Sequence, residues 1–297
     1  MNVFPDKILL ATDGSADAAL AARVAMDLSN TTGTDLHVVH AWQADFPKAY
    51  AVTTPHTIID WCEERAGELL AKEVEQIETA GGNVAETHLA MGRPVDMILN
   101  LAGELGSVLV VIGSRGLGPV KNLLLGSVSE GVVHHARSPV LVVRGKGSAW
   151  PPERVIIGDD DSEMSRRAGA LAAEIAKPFG ASAVLVRAYP EMPEIDVEGR
   201  ASNQRLVDDA LRRAERDLME RANTLESILG KHPRVRLVVG DAAAAILEIC
   251  EEGEESYLIA VGARGLGPIG RMRLGSVSTK VLRAARGPVL VYPHEAV

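Results

Sequence analysis

The sequence predicts an α/β protein built as two tandem Rossmann-like domains, each a five-stranded parallel sheet with helices on both faces. Three observations predict it. The stretch GSRGLGPVKNLLLGS, Gly113 to Ser127, returns as GARGLGPIGRMRLGS, Gly262 to Ser276. Further segments recur in the same order at an offset that stays within 147 to 149 residues: KILLATDGS (Lys7 to Ser15) with RVIIGDDDS (Arg154 to Ser162), HLAMGRPVDMI (His88 to Ile98) with RLVVGDAAAAI (Arg236 to Ile246), and SPVLVV (Ser138 to Val143) with GPVLVY (Gly287 to Tyr292). Within each copy, short Val-, Ile- and Leu-rich runs alternate with longer stretches of helical period, as in strands buried on both faces by crossover helices. The repeat sets domains at residues 1–145 and 153–297, and GKGSAWPPE, Gly145 to Glu153, carries the glycine and proline load of a linker.

In the first copy the strands are expected at Lys7–Thr12, Leu36–Ala41, Val84–Met91, Val108–Gly113 and Val140–Arg144. Between the second and third, Ile58, Trp61, Cys62, Leu69, Leu70, Val74 and Ile77 recur at three- and four-residue steps, an apolar helix stripe that places Trp61 in the core and ends at Gly81-Gly82. Pro94 suits a helix start, where its missing N–H costs nothing, and Val95, Ile98, Leu99 and Ala102 form the buried face. In the second copy Leu206, Ala210, Leu211, Ala214, Leu218 and Ala222 repeat the helical spacing.

Composition narrows the function. A chain of 297 residues that is 46% hydrophobic supports two domains and two cores. Its formal charge of -9 argues against a nucleic-acid coat or an anionic membrane surface, both of which need basic patches. Cys62 and Cys250 lie in no ligand-spaced cluster, and the N-terminus shows no basic region followed by a long apolar run, so a cytoplasmic, reducing location is expected.

The duplicated loop carries the chemistry. In open parallel sheets ligands bind beyond the carboxyl ends of the strands, where the winding reverses. Gly113 and Gly116 leave the fourth strand and provide positive φ and a missing Cβ, so that a phosphate can approach. Gly126-Ser127 opens the next helix, whose first amides are unpaired and lie at the positive end of the dipole. Ser127 and Ser129 add hydroxyls, and Arg115 and Lys121 add positive charge. The spacing is neither a Walker A motif nor GxGxxG. Asp13 ends the first strand, to meet an adenine amino group or ribose hydroxyl, unless Asp13 or Ser15 simply caps the next helix. Its counterpart Asp160 lies in Asp159-Asp160-Asp161, where a cation such as Mg²⁺ would have to bridge to a polyphosphate; the preferred reading has Asp159 and Asp161 facing water. His40, replaced by Arg187 in the second copy, is expected at the periphery or exposed, and His134-His135 make a poor metal site because adjacent helical residues diverge. No metal ligand set is assigned, and no catalytic residue.

On these residues each copy resembles a universal stress protein domain. The motif Gly-x2-Gly-x9-Gly-Ser occurs in full in both copies. The resemblance implies an adenine nucleotide α-hydrolase-like sheet of order 3-2-1-4-5 with ATP at the switch point. It also implies that Val39 faces the adenine, Met91 and Gly92 line the base pocket, and Gly113, Arg115, Gly116, Gly126, Ser127, Val128 and Ser129 hold ribose and phosphates with Asp13. In the second copy the same roles fall to Asp160, Val186, Val239, Gly240, Gly262, Arg264, Gly265, Gly275, Ser276, Val277 and Ser278. The second copy departs at Asp241-Ala242, where the first has Arg93-Pro94. The family further pairs domains through the last strand, which a tandem chain can satisfy internally as a pseudo-dimer, with a homodimer beyond that left open. The function implied is a nucleotide-dependent stress-response regulator with at most slow ATP hydrolysis. The rivals are an ATP-using enzyme of the α-hydrolase class, which would need an HxGH-like signature, and a nucleotide-free scaffold.

Overall fold

The computed structural model describes residues 4–43, 56–117, 125–145, 150–189, 200–263 and 274–293. The first copy runs β1 (Lys7–Ala11), α1 (Ala16–Thr32), β2 (Asp35–Trp42), α2 (His56–Thr79), β3 (Val84–Met91), α3 (Pro94–Leu105), β4 (Val108–Gly113), α4 (Ser127–His135) and β5 (Val140–Val143). The second repeats it as β6 (Arg154–Gly158), α5 (Glu163–Ala176), β7 (Ser182–Tyr189), α6 (Arg200–Leu229), β8 (Arg234–Val239), α7 (Ala242–Glu251), β9 (Tyr257–Gly262), α8 (Ser276–Ala284) and β10 (Val289–Tyr292).

The strands form one ten-stranded sheet in the order β3-β2-β1-β4-β5-β10-β9-β6-β7-β8. Each half therefore has the expected 3-2-1-4-5 order. All pairings within a half are parallel, whereas β5 meets β10 antiparallel, with Leu141 opposite Leu290. An apolar strand edge invites pairing, and here each half covers the other's. Arg144, just past β5, fixes the seam: its Nη1 donates to the carbonyls of Leu282 and Ala285 at 2.6 and 3.1 Å, ending α8. Burial pushes this guanidinium down to about 10.

There are two cores, but they divide by face and not by copy. One cluster joins Ile8, Leu10, Ala25 and Leu28 to Val155, Ile157, Leu171 and Ile175, on the side of α1, α2, α5 and α6. The other joins Leu9, Val110 and Val132 to Ile156, Ile259 and Val281, on the side of α3, α4, α7 and α8. The linker also crosses the seam. Trp150 is buried, donates from Nε1 to Asp27 Oδ2 at 3.1 Å and packs edge-on against Phe179 at 5.5 Å.

The α2 stripe holds only in its C-terminal part. Leu70 and Ile77 are buried, but Trp61 is 59% exposed with the Arg65 guanidinium 6.0 Å from its ring. A helix of 24 residues is about 36 Å long, more than an eight-residue strand can cover, so its first turns overhang the sheet.

Candidate functional site

The chain winds from β1 outward through β2 to β3, then returns across β1 to β4, so the switch point lies where Ala11 pairs with Ile112. A cleft of about 530 Å³ opens there. Its apolar wall is Val39 and Ala41 from β2, Pro94 and Ile98 from α3, and Ile112 from β4. Its polar end is Asp13, Arg115 and Gly116, with Gly126, Ser127, Val128 and Ser129 entering α4. Gly113 lines it too, whereas Met91, 56% exposed, and Gly92 lie outside.

The polar end is built around an uncapped helix. Gly126 brings no side chain to cap α4, and its own N–H donates to the Ser114 carbonyl at 2.7 Å. That leaves the amides of Ser127, Val128 and Ser129 in the first turn without an intrahelical partner, at the positive end of the dipole. By contrast α1 is closed: Ser15 Oγ accepts from Ala18 N at 3.2 Å. Ser15 is therefore the cap. Asp13 instead joins two loops, its Oδ1 accepting from Ser15 N at 3.0 Å and its Oδ2 from Leu117 N at 3.1 Å.

The glycines act through the missing Cβ and not through positive φ, contrary to part of the expectation, since none of 113, 116 and 126 has a left-handed φ. A Cβ on Gly113 would lie 2.6 Å from the Asp17 carbonyl carbon, so this residue lets α1 approach β4. A Cβ on Gly116 would lie 2.3 Å from Asp13 Oδ2, so this one admits the carboxylate to the cleft. Ser129 lines the cleft, and its hydroxyl donates to the Gly113 carbonyl at 2.7 Å, which ties helix to strand. Ser278 does the same to Gly262 at 2.6 Å.

Asp17 escaped the sequence reading. Its Oδ2 accepts from Ser114 Oγ at 2.7 Å and from Arg115 Nε at 3.2 Å, which holds the half-exposed guanidinium at the cleft rim. A signal existed in the repeat. Asp17 and Ser114 are replaced together by Met164 and Ala263, a polar pair exchanged for an apolar one.

His40 is also not peripheral. It is buried, with Nδ1 2.8 Å from the Thr12 carbonyl, while Thr12 Oγ1 donates to the buried Glu73 at 3.0 Å. The second copy puts Asp159, Arg187 and Arg221 at these three positions. Asp159 neither faces water nor stands open to a cation: it is buried and accepts from Arg187, at Nη2 and, at 3.0 Å, Nε, and from Arg221 Nε at 3.2 Å. Asp161 pairs with Arg166 at 2.6 Å. Asp160 is exposed and accepts from Ser162 N at 3.0 Å, matching Asp13 and Ser15.

The family model described as the universal stress protein family matches this chain twice, over residues 5–144 and 152–293. The chain belongs to the universal stress protein family. Universal stress protein Rv2005c of Mycobacterium tuberculosis is 29% identical over 291 residues, covering 96% of each chain, and Universal stress protein Rv2623 of the same organism is 29% identical over 299 residues, covering 96% of this chain and 95% of that one. Among solved structures, a universal stress protein from Archaeoglobus fulgidus DSM 4304 superposes with a TM-score of 0.67 at 24% identity, covering 98% of this chain and 99% of that one. Among the described residues of this universal stress protein, no helix is long and apolar enough to cross a membrane.

Its second copy repeats the frame around the loop. Gly275 starts α8 without a side-chain cap, donates from its N–H to the Ala263 carbonyl at 2.6 Å, and leads into Ser276, Val277 and Ser278. A Cβ on Gly262 would lie 2.9 Å from Met164 Cβ, the close helix approach again. Val186, the counterpart of Val39, is buried, whereas Val239 is 59% exposed and Gly240 has φ 127°. Asp241 caps α7 through Ala244 N at 2.9 Å and pairs with Lys280 at 2.5 Å, which gives the departure from Arg93-Pro94 a structural role. Arg264 and Gly265, like Lys121 in the first copy, lie outside the described residues.

Proposed function

We propose that this universal stress protein is a cytoplasmic, ATP-binding regulator, with one adenine-nucleotide site in each of domains 1–145 and 153–297. The observation that carries the reading is the first-copy cleft of about 530 Å³, apolar on one side and ending at the uncapped α4 N-terminus. The base would lie against Val39, Ala41 and Ile98, the ribose beside Asp13, and the phosphates against the amides of Ser127 to Ser129 with Arg115 at the rim. The second site, over Asp160, Arg264, Gly265, Gly275 and Ser276, rests on the repeated spacing. Binding is favoured over turnover because Asp13, the carboxylate in the cleft wall, already accepts backbone amides on both oxygens and is not held toward an attacking water. A divalent cation would travel with the nucleotide, and in the second copy Asp159 is committed to two arginines and not to that cation.

The double replacement Gly116→Ala, Gly126→Ala tests it. One methyl displaces the Asp13 carboxylate, and the other presses to 3.3 Å of the Ser114 carbonyl at the entrance to α4. Titration calorimetry with ATP is expected to lose the first-copy site, a weakening of at least about 100-fold, or about 2.7 kcal/mol, with an unchanged circular dichroism spectrum. An unchanged isotherm would reject the assignment.

A further inference from the structure

We propose that the first copy carries a site for a divalent transition-metal ion of the zinc class, made by His37 on β2 and by Glu86 and His88 on β3. Parallel pairing sets His37 opposite Glu86 and Val39 opposite His88, which brings the three side chains together on one face of the sheet. His37 Nδ1 stands 3.1 Å from His88 Nε2 and 3.5 Å from Glu86 Oε2, and His88 Nε2 stands 3.9 Å from the same oxygen. Ligands at ordinary zinc bond lengths in a tetrahedron are about 3.3 Å apart, so the trio needs only small adjustments to close on one ion. Among the described residues it is the one group of three or more such side chains with this convergence.

A shared proton would satisfy the two imidazoles but would leave the carboxylate beyond good hydrogen-bond distance of both. A cation between the three engages them all. His37 is buried, with Nδ1 turned toward His88 Nε2 and the Glu86 carboxylate. Glu86 is exposed, so an ion can reach the trio from solvent. Two histidines and a carboxylate are a donor set that zinc and its neighbours favour over magnesium or calcium.

The repeat supplies a control. At the equivalent positions β7 and β8 pair Val184 with Arg234 and Val186 with Arg236. The fold therefore does not require the trio, and it tolerates arginine at both β3 positions. Because β3 is an edge strand, a bound ion would clip it to β2.

The test uses the full chain, stripped with a chelator, and zinc chloride alone as probe. The expected results are one ion per chain bound at micromolar or tighter affinity, a tetrahedral visible spectrum with cobalt(II), and a rise in melting temperature with zinc. His88→Ala, and separately the Glu86→Arg, His88→Arg double variant, should weaken binding by at least about 100-fold and abolish the thermal shift. Replacing His134 and His135 by Ala should leave the affinity unchanged. Absence of wild-type binding at about 100 µM zinc, or equal affinity in His88→Ala, would overturn the site, and the metal-free melting temperature of each variant separates loss of ligand from loss of fold.

Discussion

Ser127→Asp is expected to abolish ATP binding in the first copy while leaving the protein at least as stable as before. Ser127 is exposed at the first position of α4, where no side chain caps the helix. A carboxylate in the first helical turn is stabilising by about 0.3–1 kcal/mol, because it meets the positive end of the dipole. The same carboxylate occupies the ground a phosphate would take and repels it. Two unit charges about 4 Å apart interact by about 4 kcal/mol at a near-surface effective dielectric, enough to weaken binding by at least about 100-fold. Titration calorimetry reads the affinity, and thermal melting reads the fold. Unchanged affinity, or a joint loss of binding and stability, would count against the α4 N-terminus as the anion site.

A second large effect is expected far from the first-copy cleft. Asp159→Ala should destabilise the protein by about 3–5 kcal/mol, because it leaves the Arg187 and Arg221 guanidinium groups facing each other without their shared counter-charge. Arg221 Nη2 already has no hydrogen-bond partner, and Asp161, 3.6 Å from Arg187 Nη2, is already paired with Arg166. The triple variant Asp159→Thr, Arg187→His, Arg221→Glu installs the Thr12, His40 and Glu73 set of the first copy and should recover most of the loss. Urea denaturation checks both. A wild-type midpoint for Asp159→Ala would contradict the buried-pair account, and so would failure of the triple variant to improve on the single one.

The repeat made most of the fold legible. Five apolar runs per copy, separated by helical stretches, leave few topologies once parallel pairing and right-handed crossovers are imposed. The glycine spacing likewise marked the βα turn that forms the polar end of the cleft. What stayed hidden depends on geometry that local pattern does not encode. Gly113 answers to the α1 backbone as well as lining the cleft, which only the packing of α1 on β4 reveals. Trp61 obeys the helical period yet lies where α2 has outrun the sheet. Charge runs misled at Asp159, because its arginine partners come from β7 and α6, 28 and 62 residues away. His37 and His88 are 51 residues apart, and strand register alone joins them. In three places the repeat held information that a single copy does not: Asp17 with Ser114, Thr12 with His40 and Glu73, and His37 with Glu86 and His88 each change as a set between copies.

In the proposed complex the first turn of α4 receives the phosphate end of an adenine nucleotide. Amide nuclear magnetic resonance on the labelled full chain, titrated with ATP, tests it most directly. The account predicts that the N–H resonances of Ser127, Val128 and Ser129 move together with that of Leu117 and saturate with the calorimetric affinity. Resonances that stay fixed while ATP binds elsewhere, or an excess of ATP that moves none of them, would contradict it.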